Sequence, residues 1–124
     1  MNLIARYKNQ YQGAYQGAAD NDVVRQLLHK YGITEPLYEQ WLTETGGGPI
    51  GPDWYDGVGD LEQSQKKARE EGWTILGFVI GWDGAGNPIA LQSNGAVSVE
   101  DHNFGGVHAL AASFRELLAN NVSS

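Results

Sequence analysis

From position 22 the apolar residues recur at helical spacing: Val23, Val24, Leu27, Leu28 and Tyr31 form one stripe, and Gly32 follows where a helix stops. Asp20 or Asn21 can cap its start. A second helix is predicted after Thr34, with Pro36 tolerated in its first turn and Leu37, Tyr38, Trp41 and Leu42 on one face. It stops at "GGGP", residues 46–49, because glycines resist helix and the proline holds its predecessor extended. The segment "PIGPDWYDG" then reads as a turn into an irregular strand. Asp60 and Gln63 have capping-box spacing ahead of "LEQSQKKAREEG", a third helix with few apolar positions beyond Leu61 and Ala68.

The pattern then changes period. Trp73 to Trp82, "WTILGFVIGW", is dense in β-branched and aromatic residues and predicts a central strand. Pro88 to Gln92 and Ala96 to Glu100 predict two more, separated by the Asn94-Gly95 hairpin signal, which makes a three-stranded antiparallel meander. From Gly106 to Asn120, Val107, Leu110, Ala111, Phe114, Leu117 and Leu118 return to helical spacing. Residues 1–20 are polar, carry the tandem "YQGAYQGA", and are expected to form a loosely ordered arm or a pairing segment folded over the sheet. The segregated order of helices and strands argues for a single α+β domain over residues 1–124, with a twisted, mainly antiparallel sheet flanked by N-terminal helices and a C-terminal helix.

Composition narrows the functional classes. The 124 residues suit one core, and no apolar run is long enough to span a bilayer. The N-terminus lacks the apolar stretch of a secretory signal, so a cytoplasmic location is expected. The absence of cysteine excludes disulfide scaffolds, thiolate metal sites and cysteine nucleophiles. Eight basic against fifteen acidic residues give a net charge of −7, which disfavours nucleic acid and anionic membranes and favours a basic partner. The one basic cluster, Lys66, Lys67 and Arg69, adjoins Glu70 and Glu71, so no nucleic-acid groove accompanies the aromatics.

Candidate chemistry is sparse. "GWDGAGNPIALQ", residues 81–92, has the glycine order GxxGxG, the reverse of a dinucleotide-binding loop. As a calcium loop it supplies one carboxylate, Asp83, and places Ala85 and Asn94 where ligands belong; it reads as the turn of a hairpin. Asp101, His102 and His108 in "EDHNFGGVH" invite a small-hydrolase reading, although no zinc-binding "HExxH" and no "GxSxG" elbow occurs. No metal and no cofactor are expected.

The run "ILGFVIGWDGAGNPIALQSNGAVSVEDHNFGGVHALAASFRELL" resembles the SUKH superfamily, which joins fungal cell-wall-synthesis regulators of the Smi/Knr type with bacterial immunity proteins. The apolar strand Ile75 to Ile80, the hairpin Asp83 to Asn87, the strands Ile89 to Leu91 and Val97 to Val99, then Asp101-His102, Ser113-Phe114 and Leu117-Leu118 follow the family's order. Upstream, "EPLYEQWLTETGGGPIG" is similar to the family's helix ending in a glycine pair. The resemblance spans about residues 33–120. It implies an α+β fold, no enzymatic activity, and binding of a toxin domain encoded nearby, often a nuclease. The acidic balance then fits an inhibitor face that covers a basic toxin. The residues expected at that face are Asp53, Trp54, Tyr55, Asp56, Asp83, Glu100 and Asp101. A regulatory scaffold of the Smi/Knr type is the alternative. The oligomeric state stays open, though an exposed edge beside the meander offers pairing to a second copy.

Overall fold

A computed structural model describes residues 2–75, 77–103 and 105–123. Six strands make one antiparallel sheet in which each pairs with the next in sequence: β1 (Gly48–Ile50), β2 (Asp53–Tyr55), β3 (Phe78–Trp82), β4 (Pro88–Leu91), β5 (Val97–Glu100) and β6 (Val107–Ala111). Helices α1 (Leu3–Gln10), α2 (Asn21–Lys30) and α3 (Pro36–Thr45) precede the sheet, α4 (Leu61–Glu70) interrupts it, and α5 (Phe114–Asn121) follows. The α+β class is therefore as the pattern predicts. No described helix is long and apolar enough to cross a membrane.

The strand period of two sorts side chains between the faces. Phe78, Ile80, Ile89, Leu91 and Val97 point into the main core, where they meet Tyr7 of α1, Leu28 of α2, Tyr38 and Trp41 of α3 and Phe114 of α5. Val79 and Ala90 point the other way, against Ala68 of α4 and the flanking Trp73, Ile75 and Trp82. The Gln65 side chain fixes α4 to β3: its amide donates to the Val79 carbonyl at 2.7 Å and accepts from the Val79 N–H at 2.8 Å.

Several expectations are corrected. Residues 3–10 are a helix rather than a loose arm, because Asn2 caps Ala5 and the helix's two buried residues, Ile4 and Tyr7, are fully absorbed by the core. The tandem after it is ordered too. Tyr11 and Tyr15 pack around Tyr7, and the N–H groups of Gln16, Gly17 and Ala19 donate to carbonyls of Gly47, Thr45 and Thr43 at 2.7–2.9 Å. Gln10 and Tyr11 donate to the Asn121 carbonyl, both at 3.0 Å, and clasp α1 to the end of α5.

The irregular strand is a hairpin, β1 to β2, turning at Gly51, whose φ of 62° is left-handed. The strand expected from Trp73 begins only at Phe78, since Thr74 and Ile75 give their N–H groups to the Glu100 carboxylate at 2.8 and 2.6 Å. The helix expected from Gly106 is half strand. Gly105 and Gly106, with φ of 76° and 81°, close a turn back to Asp101 and send 107–111 along β5, and Ser113 caps the true helix by accepting from Glu116. Asp60 precedes α4 but makes no side-chain capping bond.

Candidate functional site

Strand direction decides which loops meet. β2 begins at Asp53 beside the end of β3, with Trp54 opposite Trp82, and β5 ends at Glu100 beside the start of β6. The turn before β2, the turn 83–87 and the turn 101–106 therefore share one end of the sheet. Asn87 ties two of these turns together: its side-chain oxygen accepts from the His102 N–H at 3.1 Å and bonds the His102 ring.

The rim so formed is acidic. Asp83 accepts from Ala85 and Asn87 N–H groups and from the Asn87 amide, all at 2.9 Å, which locks its own turn. Burial opposes its charge, but those bonds and nearby His102 outweigh burial and hold its pKa below the ordinary value. Asp53 is shifted the other way, raised by burial and then by the charge of Asp83. Asp101 accepts from the Asn103 N–H at 2.8 Å in the third turn. Beside these carboxylates Trp54 stands 42% exposed. Paired with it on the neighbouring strand β3, Trp82 carries the Lys67 ammonium 4.2 Å over its ring.

Of the seven residues singled out from sequence, Asp53, Trp54, Asp83 and Asp101 lie along this rim, and of the carboxylates Asp53 and Asp83 are close enough to act on each other. The other three lie off the rim. Tyr55 is fully buried in the main core, on the face opposite Trp54, with its hydroxyl's pKa raised by burial and by Asp53. Asp56 is buried and takes the Ser64 hydroxyl, which itself accepts from the Trp82 indole at 2.9 Å. Glu100 spends its carboxylate on Thr74 and Ile75. Sequence alternation could have flagged Tyr55, since a strand with Trp54 outside must turn Tyr55 inward.

Asp56 predicts an unusual pH response. Burial first, and Asp60 in addition, push its pKa up to about 6 from 3.8, against the opposing pull of Ser64 and Lys67. Between those values the folded state keeps a proton that the unfolded chain has lost. Stability is therefore expected to fall by on the order of 2 kcal/mol as pH rises from about 4 to 7. Asp56→Asn should remove that slope and raise the urea midpoint at pH 7; identical slopes in the two proteins would contradict the assignment.

Asp101, His102 and His108, the residues of the hydrolase reading, are each held locally. His102 bonds Asn87, and the His108 ring lies 3.1 Å from the Gly105 carbonyl on β6. Among the described residues no group of three His, Asp or Glu side chains could hold a metal ion. A cleft of about 670 Å³ opens at the opposite end of the sheet, between Tyr31, Thr34, Arg69, Trp73, Phe78 and Asn94. Three stretches apart in sequence, 31–35, 65–79 and 91–95, build it, so no local motif announces it. Its one carboxylate, Glu35, caps α3 through the Leu37 N–H. In comparisons with known proteins, no family model matches the chain and no curated protein matches it.

Proposed function

We propose that this chain is a non-enzymatic immunity protein of the cytoplasm, which binds and neutralises a basic toxin domain through the acidic rim. The observation that carries this reading is the placement of Asp53, Asp83 and Asp101 in turns at one end of the sheet, with exposed Trp54 next to Asp53, in a chain of net charge −7. An exposed Trp beside carboxylates supplies both parts of an interface anchor: apolar area that is worth burying, and charge that steers a cationic partner. The partner expected is the toxin encoded beside the gene, and the SUKH-like order of elements supports the same assignment.

Gel filtration and toxicity rescue with that toxin test it. The wild-type chain should form a stable complex and protect cells. Asp53→Lys should slow association on the order of 10-fold at low salt, and Trp54→Ala should weaken binding on the order of 30-fold. Absence of a complex, or a complex indifferent to both variants, defeats the proposal.

A further inference from the structure

The two edges of the sheet are finished differently. At β1, Pro49 has no N–H to offer, its carbonyl takes the Tyr7 hydroxyl at 2.6 Å, and the Gln16 N–H donates to Gly47 at 2.9 Å. The N-terminal segment closes that edge. β6 has a strand partner on one side only, β5. The Asp101 N–H donates to the Gly106 carbonyl at 3.1 Å, and His108 stands opposite Val99. Counting along the antiparallel ladder from that bonded pair, Val107 and Ala109 turn their N–H and C=O groups away from β5.

The side chains of β6 leave this row open. "VHALA" contains no Lys, Glu, Asp or Pro, the residues that ordinarily blunt an edge. Four large apolar side chains are exposed among the described residues, and two of them, Val107 at 43% and Leu110 at 39%, lie on this five-residue strand. The register steps by one residue next to Leu110, which limits the straight edge to the part of β6 nearest the turn.

We propose that β6 pairs with β6 of a second copy of this chain, antiparallel about a two-fold axis, so that two sheets join edge to edge. Charge selects a second copy over a basic partner. A cationic protein finds no carboxylate on this strand, and the repulsion between two chains of net charge −7 is least where their edges carry no carboxylate. The two-fold also brings the acidic 101–103 turn of one copy toward the start of α5 in the other, where Arg115 is exposed and has no ion pair among the described residues. In such a pair the two acidic rims face opposite ways along the joined sheet; of the rim residues only Asp101 nears the second copy, and Asp53, Trp54 and Asp83 lie clear of the pairing.

Sedimentation of the purified chain alone tests the pairing. Its mass should rise with concentration from 13.5 kDa toward twice that value. The amides of Val107 and Ala109 should exchange more slowly in the concentrated sample. The double variant Val107→Glu, Leu110→Glu places like charges across the axis and should weaken association on the order of 100-fold. Both side chains are already exposed, so its thermal midpoint should stay near that of the wild type, and the Asp56-dependent pH slope provides a second check that it folds. A chain that stays monomeric throughout the dilution series overturns the proposal, as does a dimer unaffected by the double variant. Protection of β6 amides that appears only on adding a toxin domain also overturns it, by giving the edge to another protein's strand.

Discussion

Trp41→Ala is expected to cost about 3–5 kcal/mol of folding stability, read as a drop in the urea midpoint at unchanged slope. The indole is fully buried at the centre of the main core. It meets Tyr7 edge-on at 5.6 Å between ring centroids, Phe114 edge-on at 5.7 Å, and Tyr38 in a stack at 6.3 Å. Those rings come from α1, α5 and α3 itself, so one truncation loosens three helices at once. They are too large and too constrained by one another to close over the space, which puts the loss near the top of the range for aromatic truncations. A loss below about 1 kcal/mol would mean that the helical layer does not pack as described.

Gly47→Ala should be comparably damaging for a different reason. Gly47 has a φ of 98°, which costs a side-chain-bearing residue about 1–3 kcal/mol. A Cβ there would also lie 2.6 Å from the Gly57 Cα and 2.7 Å from the Asp56 carbonyl carbon, an overlap with backbone worth about another 1–3 kcal/mol. Its neighbours are equally constrained. A Cβ on Gly46 would overlap the Gly17 carbonyl, and one on Gly48 would lie 2.9 Å from the Tyr15 Cα. The triple glycine is thus a crossing where the N-terminal segment, the end of α3 and the segment after β2 touch backbone to backbone. Equilibrium unfolding reads the loss; a midpoint equal to the wild type would remove this account of residues 46–48.

That crossing shows where sequence reading ends. The glycines do stop α3, as their composition dictates, and Gly46 sits in the left-handed cap with a φ of 70°. Their second role depends on residues 15–17 and 56–57, which no local window contains. Helices with a clear apolar stripe and a cap, α2 and α3, were legible almost to the residue. The hairpin turns at 83–87 and 92–96 were legible from Asp, Asn and Gly chemistry, and the Asp83 carboxylate does serve the turn. α1 was hidden because only two of its eight residues are buried, so its stripe is too thin to register. β6 was mistaken for helix because Val107, Leu110 and Ala111 have helical spacing, yet the first two are exposed and only Ala111 reaches the core.

The rim was half legible. Acidic turn residues are visible as such in any sequence, and Asp53, Asp83 and Asp101 do lie in or beside turns at one end. Which carboxylates are already committed was not visible, because the partners of Glu100 and Asp56 lie on segments brought near only by the fold. A buried acid with a serine partner and a half-buried acid on a rim look alike in one dimension.

Pairing each strand with its successor has a consequence for the order of assembly. As the chain leaves the ribosome, every strand from β2 onward can dock on a neighbour already made, and most sheet contacts close short loops. The clasp between Gln10, Tyr11 and Asn121 is the exception, with more than a hundred residues between its partners. It can close only when synthesis has passed α5. Until then Tyr7 and its aromatic neighbours lack the finished core that buries them, which makes the N-terminal helix the element that waits longest for its partners and the one on which a chaperone has longest to act.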